Sequence, residues 1–161
     1  MTYLIATHDI DQQAVVSIRD QRAEQGIPGF LAESFRVLFA RLRLLGVDAA
    51  GPPFVIYHEF GPDGVDAEVC VPVVEAISAN GKVQSRVLPA ATVARTLHIG
   101  PYEELGSAYA ELTDWILDHG FETAGPVHER YLNGPGDVAS PADYRTEIEM
   151  PIVPRVVAVP A

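Results

Sequence analysis

The sequence predicts an α+β fold built from two copies of one strand-strand-helix-strand-strand unit. Two amphipathic helical patterns carry this prediction, and they end at Gly46 and Gly120, which are 74 positions apart. The same offset relates Gly51 to Gly125, Pro52 to Pro126, and Tyr57 to Tyr131. One constant offset across a helix cap, a turn and a strand favours an internal duplication over two coincidental patterns of the same kind.

The first copy begins with two β-rich runs, Tyr3 to Ala6 and Ala14 to Arg19, which we expect to form a hairpin or two neighbouring strands. A helix is predicted after Pro28, because apolar residues then recur at steps of four, three, four and three, which place them on one face. This predicted core stripe consists of Leu31, Phe35, Leu38, Leu42 and Leu45.

The second helix is predicted after Gly100-Pro101, since a proline is tolerated where the first turn leaves its N–H groups unpaired. Its stripe consists of Leu105, Tyr109, Leu112 and Ile116. In the strand that follows, Val127, Glu129 and Tyr131 share one face. Further on, Glu68 matches Glu147 at an offset of 79, so the second copy carries five extra residues in a loop at 134–143.

We therefore expect one domain over residues 1–161, with repeat 1 at about 1–77, a linker at 78–82 and repeat 2 at about 83–153. Neither unit can bury its apolar faces alone, so the two should pair about a pseudo-twofold axis and leave a groove between them. The apolar residues 153–161 would add an edge strand or form a tail, and they could support a homodimer.

Composition excludes several classes of function. The formal net charge of -11 would repel a phosphate backbone, so we expect no direct nucleic-acid binding. No apolar run is long enough to span a membrane and no signal peptide is recognisable, which makes the cytoplasm the expected compartment. The single cysteine, Cys70, excludes an intramolecular disulfide. The five histidines show no ligand spacing, so we expect neither a metal nor a cofactor.

Three motifs, in this order, carry a family resemblance. They are His98-Ile-Gly-Pro-Tyr-Glu-Glu-Leu105, Gly125-Pro126 followed by Glu129-Arg-Tyr-Leu132, and Thr146-Glu-Ile-Glu-Met-Pro151. With them the chain resembles the GyrI-like small-molecule-binding superfamily, which includes gyrase-inhibitory proteins and the effector-binding domains of AraC-type and MerR-type multidrug-sensing regulators. The resemblance implies two βαββ units that form a curved antiparallel sheet, with two main helices on one side and a central ligand groove.

The resemblance also implies a chemistry for the groove. In the multidrug sensors an apolar, aromatic-lined pocket holds a buried carboxylate that receives lipophilic cations. Glu129 matches that carboxylate, and Glu147 matches a second acidic position of the family motif. Because the chain shows no DNA-binding domain, we expect it to act with a separate partner or as a standalone member.

Glu129 is the strongest candidate from the residues themselves. Its counterpart in the first copy is Val55, so the fold accepts an apolar side chain at this position and the acid needs another explanation. A desolvated carboxylate among aromatic rings would attract an organic cation strongly. The alternative is a solvated acid on an open strand face, paired with Arg130 or Arg145.

The other candidates have competing structural readings. Glu68 and Glu147 could converge near the axis, where two close carboxylates cannot both ionise cheaply, or each could accept backbone or arginine hydrogen bonds. The equivalent Tyr57 and Tyr131 could line the groove or pack in the core. The remaining candidates lie on the second helix, where Tyr102 and Trp115 could reach a pocket mouth and Tyr109 is expected mainly to pack.

Three functions fit these expectations. The first is a multidrug-type binding protein for aromatic, preferably cationic, small molecules. The second, which the resemblance to some standalone members implies, is a hydrolase of cyclopropane-bearing or electrophilic genotoxic natural products. Glu129 or Glu147 would then orient water while a tyrosine donates a proton. The third is a protein-interaction module whose partner is a protein such as gyrase.

Overall fold

Two α-helices and nine strands make up the regular structure of residues 2–156, which this computed structural model describes. The first part contains β1 (Ala6–Ile10), β2 (Gln13–Arg22), α1 (Ile27–Leu45), β3 (Phe54–Gly61) and β4 (Gly64–Pro72). The second part contains β5 (Gln84–Leu88), β6 (Ala91–Ile99), α2 (Leu105–Asp118), β7 (Phe121–Thr123), β8 (Val127–Tyr131) and β9 (Arg145–Pro154). The α+β class and both helices are as predicted.

The strands form one antiparallel sheet that curls into a half-barrel, in the order β1-β6-β9-β8-β3-β4-β2-β5, with β7 paired to β9. β1 lies against β6 and β5 lies against β2, so the two halves exchange their edge strands. The prediction that the two N-terminal runs form a hairpin or neighbouring strands is therefore wrong, because β1 and β2 lie near opposite ends of the sheet. The connection at 11–12, Asp-Gln, lacks the glycine or asparagine that a two-residue hairpin favours, and it carries the chain across to the other half.

The halves meet where β3 pairs with β8. In this ladder Val55 lies opposite Glu129, its own counterpart at the offset of 74. The outer ladders agree with the offset of 79, since Glu68 pairs with Ile56 on one side and Glu147 pairs with Arg130 on the other. This register is what a twofold axis through the pair Val55 and Glu129 requires, so the duplication is present in the fold.

Both helices pack on the same face of the sheet, here called the helix face. Val55, Glu129 and Ile148 lie side by side on neighbouring strands, and directly paired residues project to one face. Val55 belongs to the core cluster under α1, and Ile148 belongs to the core cluster under α2. Glu129 therefore lies on the helix face, between the two apolar cores.

The predicted stripe of the first helix is only partly correct. The helix starts at Ile27, one residue before Pro28, and it buries Ile27, Phe30, Ser34, Leu38 and Leu42. Leu45 is 41% exposed and Phe35 is half-buried, which leaves the Phe35 side chain accessible beside the sheet. Gly46 ends the helix in the left-handed region, with a φ of 67°, as a C-terminal cap requires.

The second helix follows its predicted stripe more closely. A single 3-10 turn at Tyr102–Glu104 precedes α2, which buries Leu105, Leu112 and Ile116. Val153 lies within β9, whereas residues 157–161 of the expected tail lie outside the described residues. Within residues 2–156, neither helix has the length and apolarity that crossing a membrane would need.

Candidate functional site

A carboxylate and several tyrosines meet on the helix face at the pseudo-twofold axis. Glu129 is only 8% exposed. The Tyr131 hydroxyl donates a hydrogen bond of 3.0 Å to Glu129 Oε1, and the Tyr109 hydroxyl of α2 donates to Glu129 Oε2. The residue expected mainly to pack, Tyr109, is thus one of two direct partners of the carboxylate. We call the group formed by Tyr57, Tyr102, Tyr109, Glu129 and Tyr131 the tyrosine–glutamate cleft.

Aromatic rings continue on both sides of the carboxylate. Phe35 of α1 and Tyr102, just before α2, each meet the Tyr131 ring edge-on, at centroid distances of 6.2 and 5.9 Å. Tyr102 also stacks on Tyr144 at 4.9 Å. Most of these rings are half-buried, and Tyr102 is 37% exposed. Glu129 is therefore less exposed than the aromatic rings that surround it.

The protonation states follow from burial. Desolvation raises the pKa of Glu129, and the hydrogen bonds from Tyr109 and Tyr131 lower it in part. Desolvation, followed by the charge of Glu129, raises the pKa of Tyr57, Tyr109 and Tyr131. The phenols consequently remain protonated at neutral pH and act as hydrogen-bond donors. For Glu129, burial destabilises the ionised carboxylate relative to the protonated acid.

Among residues 2–156, Glu129 forms no ion pair. Arg130 points to the other face of the sheet, where its Nη2 lies 2.8 Å from Glu149. The Arg145 backbone N–H donates to Asn133 Oδ1, and the Arg145 side chain forms no ion pair among residues 2–156. The alternative prediction of a surface acid paired with one of these arginines is therefore wrong. The cleft holds a buried carboxylate without a cationic partner among the described residues.

The two other predicted acids lie on the opposite face. Glu68 is fully buried and accepts hydrogen bonds from Ser17, His58 and Arg86 at 2.7 to 2.9 Å. Glu147 lies 3.5 Å from both Arg95 and Arg130.

Glu68 and Glu147 do not converge at the axis, because the two strands β3 and β8 lie between the strands that carry them. Arginine pairing, the second expectation for these residues, is what the structure shows for both. Neither acid joins the tyrosine–glutamate cleft, so Glu147 cannot share a reacting group with Glu129.

Glu149, which the sequence did not single out, is the most tightly held acid. It is fully buried and accepts hydrogen bonds of 2.8 Å from both Arg95 and Arg130. Burial alone would raise its pKa, but the hydrogen bonds and charges of the two arginines hold the pKa of Glu149 below its usual value. This arginine–glutamate clamp joins β6, β8 and β9.

Trp115 is not brought to the cleft. It stacks on His119 at 4.0 Å and lies parallel to Phe121 at 6.3 Å, near the C-terminal end of α2. Two aromatic residues of the site were missed instead. The spacing of Phe35 matches the stripe of α1 and so predicts a core position, whereas the structure places its ring against Tyr131. Tyr144 follows the inserted loop, where no repeat or periodicity marks it.

A cavity of about 1060 Å³ lies on the face opposite the cleft. Its walls include Phe54 and Ile56 of β3, His128 and Arg130 of β8, and Arg86 of β5. Phe54 and Ile56 are directly paired with Arg130 and His128, so this cavity also lies on the pseudo-twofold axis.

Comparison with known proteins agrees with this architecture. A family model described as the GyrI-like small molecule binding domain matches residues 9–153. The chain superposes on EcmrR in its complex with DNA with a TM-score of 0.86 and 25% identity, over 96% of this chain and 58% of that one. It thus spans little more than half of EcmrR. The C-terminal domain of EcmrR alone gives a TM-score of 0.81 at 24% identity, over 97% and 100% of the two chains.

Two further structures share the fold at lower identity. SAV2435 bound to tetraphenylphosphonium gives a TM-score of 0.65 at 20% identity, over 95% of this chain and 94% of that one. A hydrolase encoded by lin2189 from Listeria innocua gives 0.71 at 12% identity, over 92% and 91%. No protein with a curated description matches the sequence.

Proposed function

The chain belongs to the family of GyrI-like small-molecule-binding domains, and on this basis we propose that it binds aromatic, preferably cationic, small molecules in the tyrosine–glutamate cleft. One observation carries the proposal. Glu129 is nearly buried, and its described partners are two phenol hydroxyls and no cation. A cationic ligand would supply the charge that this carboxylate lacks.

Glu129 contributes an electrostatic term to the free energy of binding only when the ligand is a cation. A carboxylate that has lost most of its water interacts strongly with an opposite charge, because the local dielectric constant is low. The faces of Tyr57, Tyr102 and Tyr131 add cation–π attraction, typically about 0.5–2 kcal/mol for each contact. SAV2435, which shares the fold, is bound to tetraphenylphosphonium, a lipophilic aromatic cation, and this supports the class of ligand proposed here.

The experiment is a calorimetric titration with tetraphenylphosphonium and with the neutral triphenylphosphine oxide. Wild-type protein should prefer the cation, and Glu129→Gln should lower affinity for the cation by about tenfold or more while changing the neutral ligand little. Glu103→Gln is the matched control, because it removes the same charge from an exposed side chain close to Tyr102. Equal losses for both ligands in Glu129→Gln would refute the charge-based recognition.

A second function, hydrolysis of a strained or electrophilic molecule, is favoured by the direct hydrogen bond between the Tyr109 hydroxyl and Glu129. Glu129 would accept a proton from water as the water oxygen bonds to an electrophilic carbon. The bond from that carbon to the leaving atom would break as Tyr109 gives its proton to the leaving atom, and Glu129 would then return a proton to Tyr109 across their hydrogen bond. The lin2189 protein, described as a hydrolase, shares the fold.

This second function predicts a product heavier by one water, formed in excess over the protein. Incubation with a cyclopropane-bearing natural product followed by mass spectrometry measures it. Tyr109→Phe should then abolish turnover and retain binding. Retention of intact compound by wild-type protein, with no heavier product, would leave binding alone as the function.

A further inference from the structure

The cavity on the opposite face has a different chemistry from the cleft. Its volume of about 1060 Å³ is that of a small-molecule pocket. Phe54 is only 1% exposed in its wall, where it supports the His128 ring, stacked at 5.6 Å, and the Arg130 guanidinium, 4.5 Å from the Phe54 centroid. The half-buried His128 ring gives a flat surface, and Pro52, Pro89 and Pro126 add accessible apolar wall. An aromatic ring can therefore find both a stacking surface and apolar contacts here.

The charged groups that reach this cavity are mainly cationic. Arg86 and Arg130 line it. Their partners Glu68 and Glu149 are fully buried, and neither these two acids nor Glu147, 3.5 Å from Arg130, form part of the lining. Arg86 donates to Glu68 through Nη1, and Arg130 donates to Glu149 through Nε and Nη2. The remaining N–H groups of both guanidiniums have no acceptor among residues 2–156, so they remain available to a ligand.

The other titratable groups in the cavity wall do not cancel the positive charge of Arg86 and Arg130. Burial lowers the pKa of His128 to about 4, so its imidazole is neutral at physiological pH. His58 already contacts Glu68 at 2.8 Å. Asp11 lies in the exposed connection between β1 and β2, where solvent screens its charge.

We propose that this cavity is a second ligand site that binds aromatic carboxylates. The ring of the ligand packs on the His128 ring and on the prolines of the wall, and its carboxylate accepts hydrogen bonds from Arg86 and Arg130. Neighbouring residues of β8, Glu129 and Arg130, then face opposite sides of the sheet and select ligands of opposite charge. The central strands would thus carry a cation site on the helix face and an anion site on the other.

The test compares 1-naphthylacetate with its neutral amide, 1-naphthylacetamide, in calorimetric titrations of the whole chain. The carboxylate should bind at least about tenfold more tightly than the amide, because a charged hydrogen-bonding pair forms only with the acid. Arg86→Gln should remove this preference. That variant should fold, since Ser17 and His58 still contact Glu68. Ala90→Trp, at an exposed position of the cavity rim, should weaken both ligands.

The two sites can be separated in the same experiment. Glu129→Gln should leave naphthylacetate affinity unchanged, and a saturating concentration of tetraphenylphosphonium should not displace naphthylacetate. Equal affinity for acid and amide in wild-type protein would overturn the anion site, and so would unchanged binding of both in Ala90→Trp. Loss of naphthylacetate binding in Glu129→Gln would assign both ligands to the cleft and likewise overturn it.

Discussion

Val55 and Glu129 face each other across the central ladder of the sheet and are also equivalent positions of the internal repeat. Because the twofold axis passes between these two residues, each half of the fold contributes one of them to the same place at the centre of the sheet. Their side chains therefore lie next to each other on the helix face. Val55 is fully buried there and Glu129 is 8% exposed. A single divergence between the repeats thus places one carboxylate at the centre of the helix face, within reach of aromatic residues from both halves.

The burial of Glu129 has a cost that should appear in the pH dependence of stability. Its pKa is raised in the folded state, mainly by desolvation, so folding disfavours the anion. The destabilisation is fully present above the folded pKa and disappears as the pH falls below the unfolded value. Glu129→Gln should therefore have a larger free energy of unfolding than wild type at pH 7.5, and the difference should shrink towards pH 4. Urea unfolding at a series of pH values measures it.

Glu103→Gln is the control for this comparison, because Glu103 is exposed. It should follow the wild-type pH profile. A Glu129→Gln protein that is less stable than wild type at pH 7.5 would mean that the hydrogen bonds from Tyr109 and Tyr131 outweigh the desolvation of the carboxylate.

His128 should act in the opposite direction. Burial lowers its pKa from 6.5 to about 4 in the folded state, so the unfolded chain takes up a proton first as the pH falls. The contribution of neutral His128 to the free energy of unfolding is fully present above pH 6.5 and is lost as the pH falls to 4. The complete loss amounts to roughly 3 kcal/mol. In His128→Gln, the free energy of unfolding should fall less steeply over this range, as chemical denaturation at pH 7 and pH 4.5 would show.

The exposed His8 offers the matched control for that variant. His8→Gln should keep the wild-type dependence on pH. If His128→Gln and wild type lost stability in parallel between pH 7 and pH 4.5, the neutral state of His128 would not contribute to folding.

Much of the fold could be predicted because its signals are local. The stripe of α2, the glycine at the end of α1 and the offset of 74 each depend on residues close together in one copy or on simple repetition. The exchange of edge strands could not be predicted in this way. The short connection at 11–12 could form a hairpin turn, or it could carry the chain from one half of the sheet to the other. Which of the two forms depends on the pairing between β1 and β6, about 85 residues apart in the sequence.

The site was predicted less completely, because faces are hard to assign in buried strands. β4 is buried on both sides, so its sequence shows no alternation that would assign Glu68 to one face. The predicted equivalence of Glu68 and Glu147 was correct, yet both point away from Glu129. Glu129 stood out because one copy has valine at that position. Arg95, Arg130 and Glu149 come together only through the pairing of three strands.

The arginine–glutamate clamp supplies the last prediction. Glu149→Met would leave Glu147, 3.5 Å from each, as the one carboxylate beside the two guanidiniums of Arg95 and Arg130. Removing one partner of such a buried group typically costs about 3–5 kcal/mol. In Arg130→Met/Glu149→Met the unpaired charge is gone, while Arg95 keeps Glu147 at 3.5 Å. The double variant should therefore lose much less stability than the sum of the single variants, as a double-mutant cycle by urea unfolding would show.

The exposed pair of Glu33 and Arg36 on α1 provides the comparison for this cycle, since both side chains are more than 60% exposed. Their coupling energy should stay below about 1 kcal/mol, because solvent screens an exposed pair. If the losses of unfolding free energy in Arg130→Met and Glu149→Met summed to the loss in the double variant, the two residues would not be coupled. That result would contradict the arginine–glutamate clamp, because only independent sites give additive losses. A large coupling energy in the clamp alone would establish that Glu149 stabilises the fold by neutralising Arg95 and Arg130.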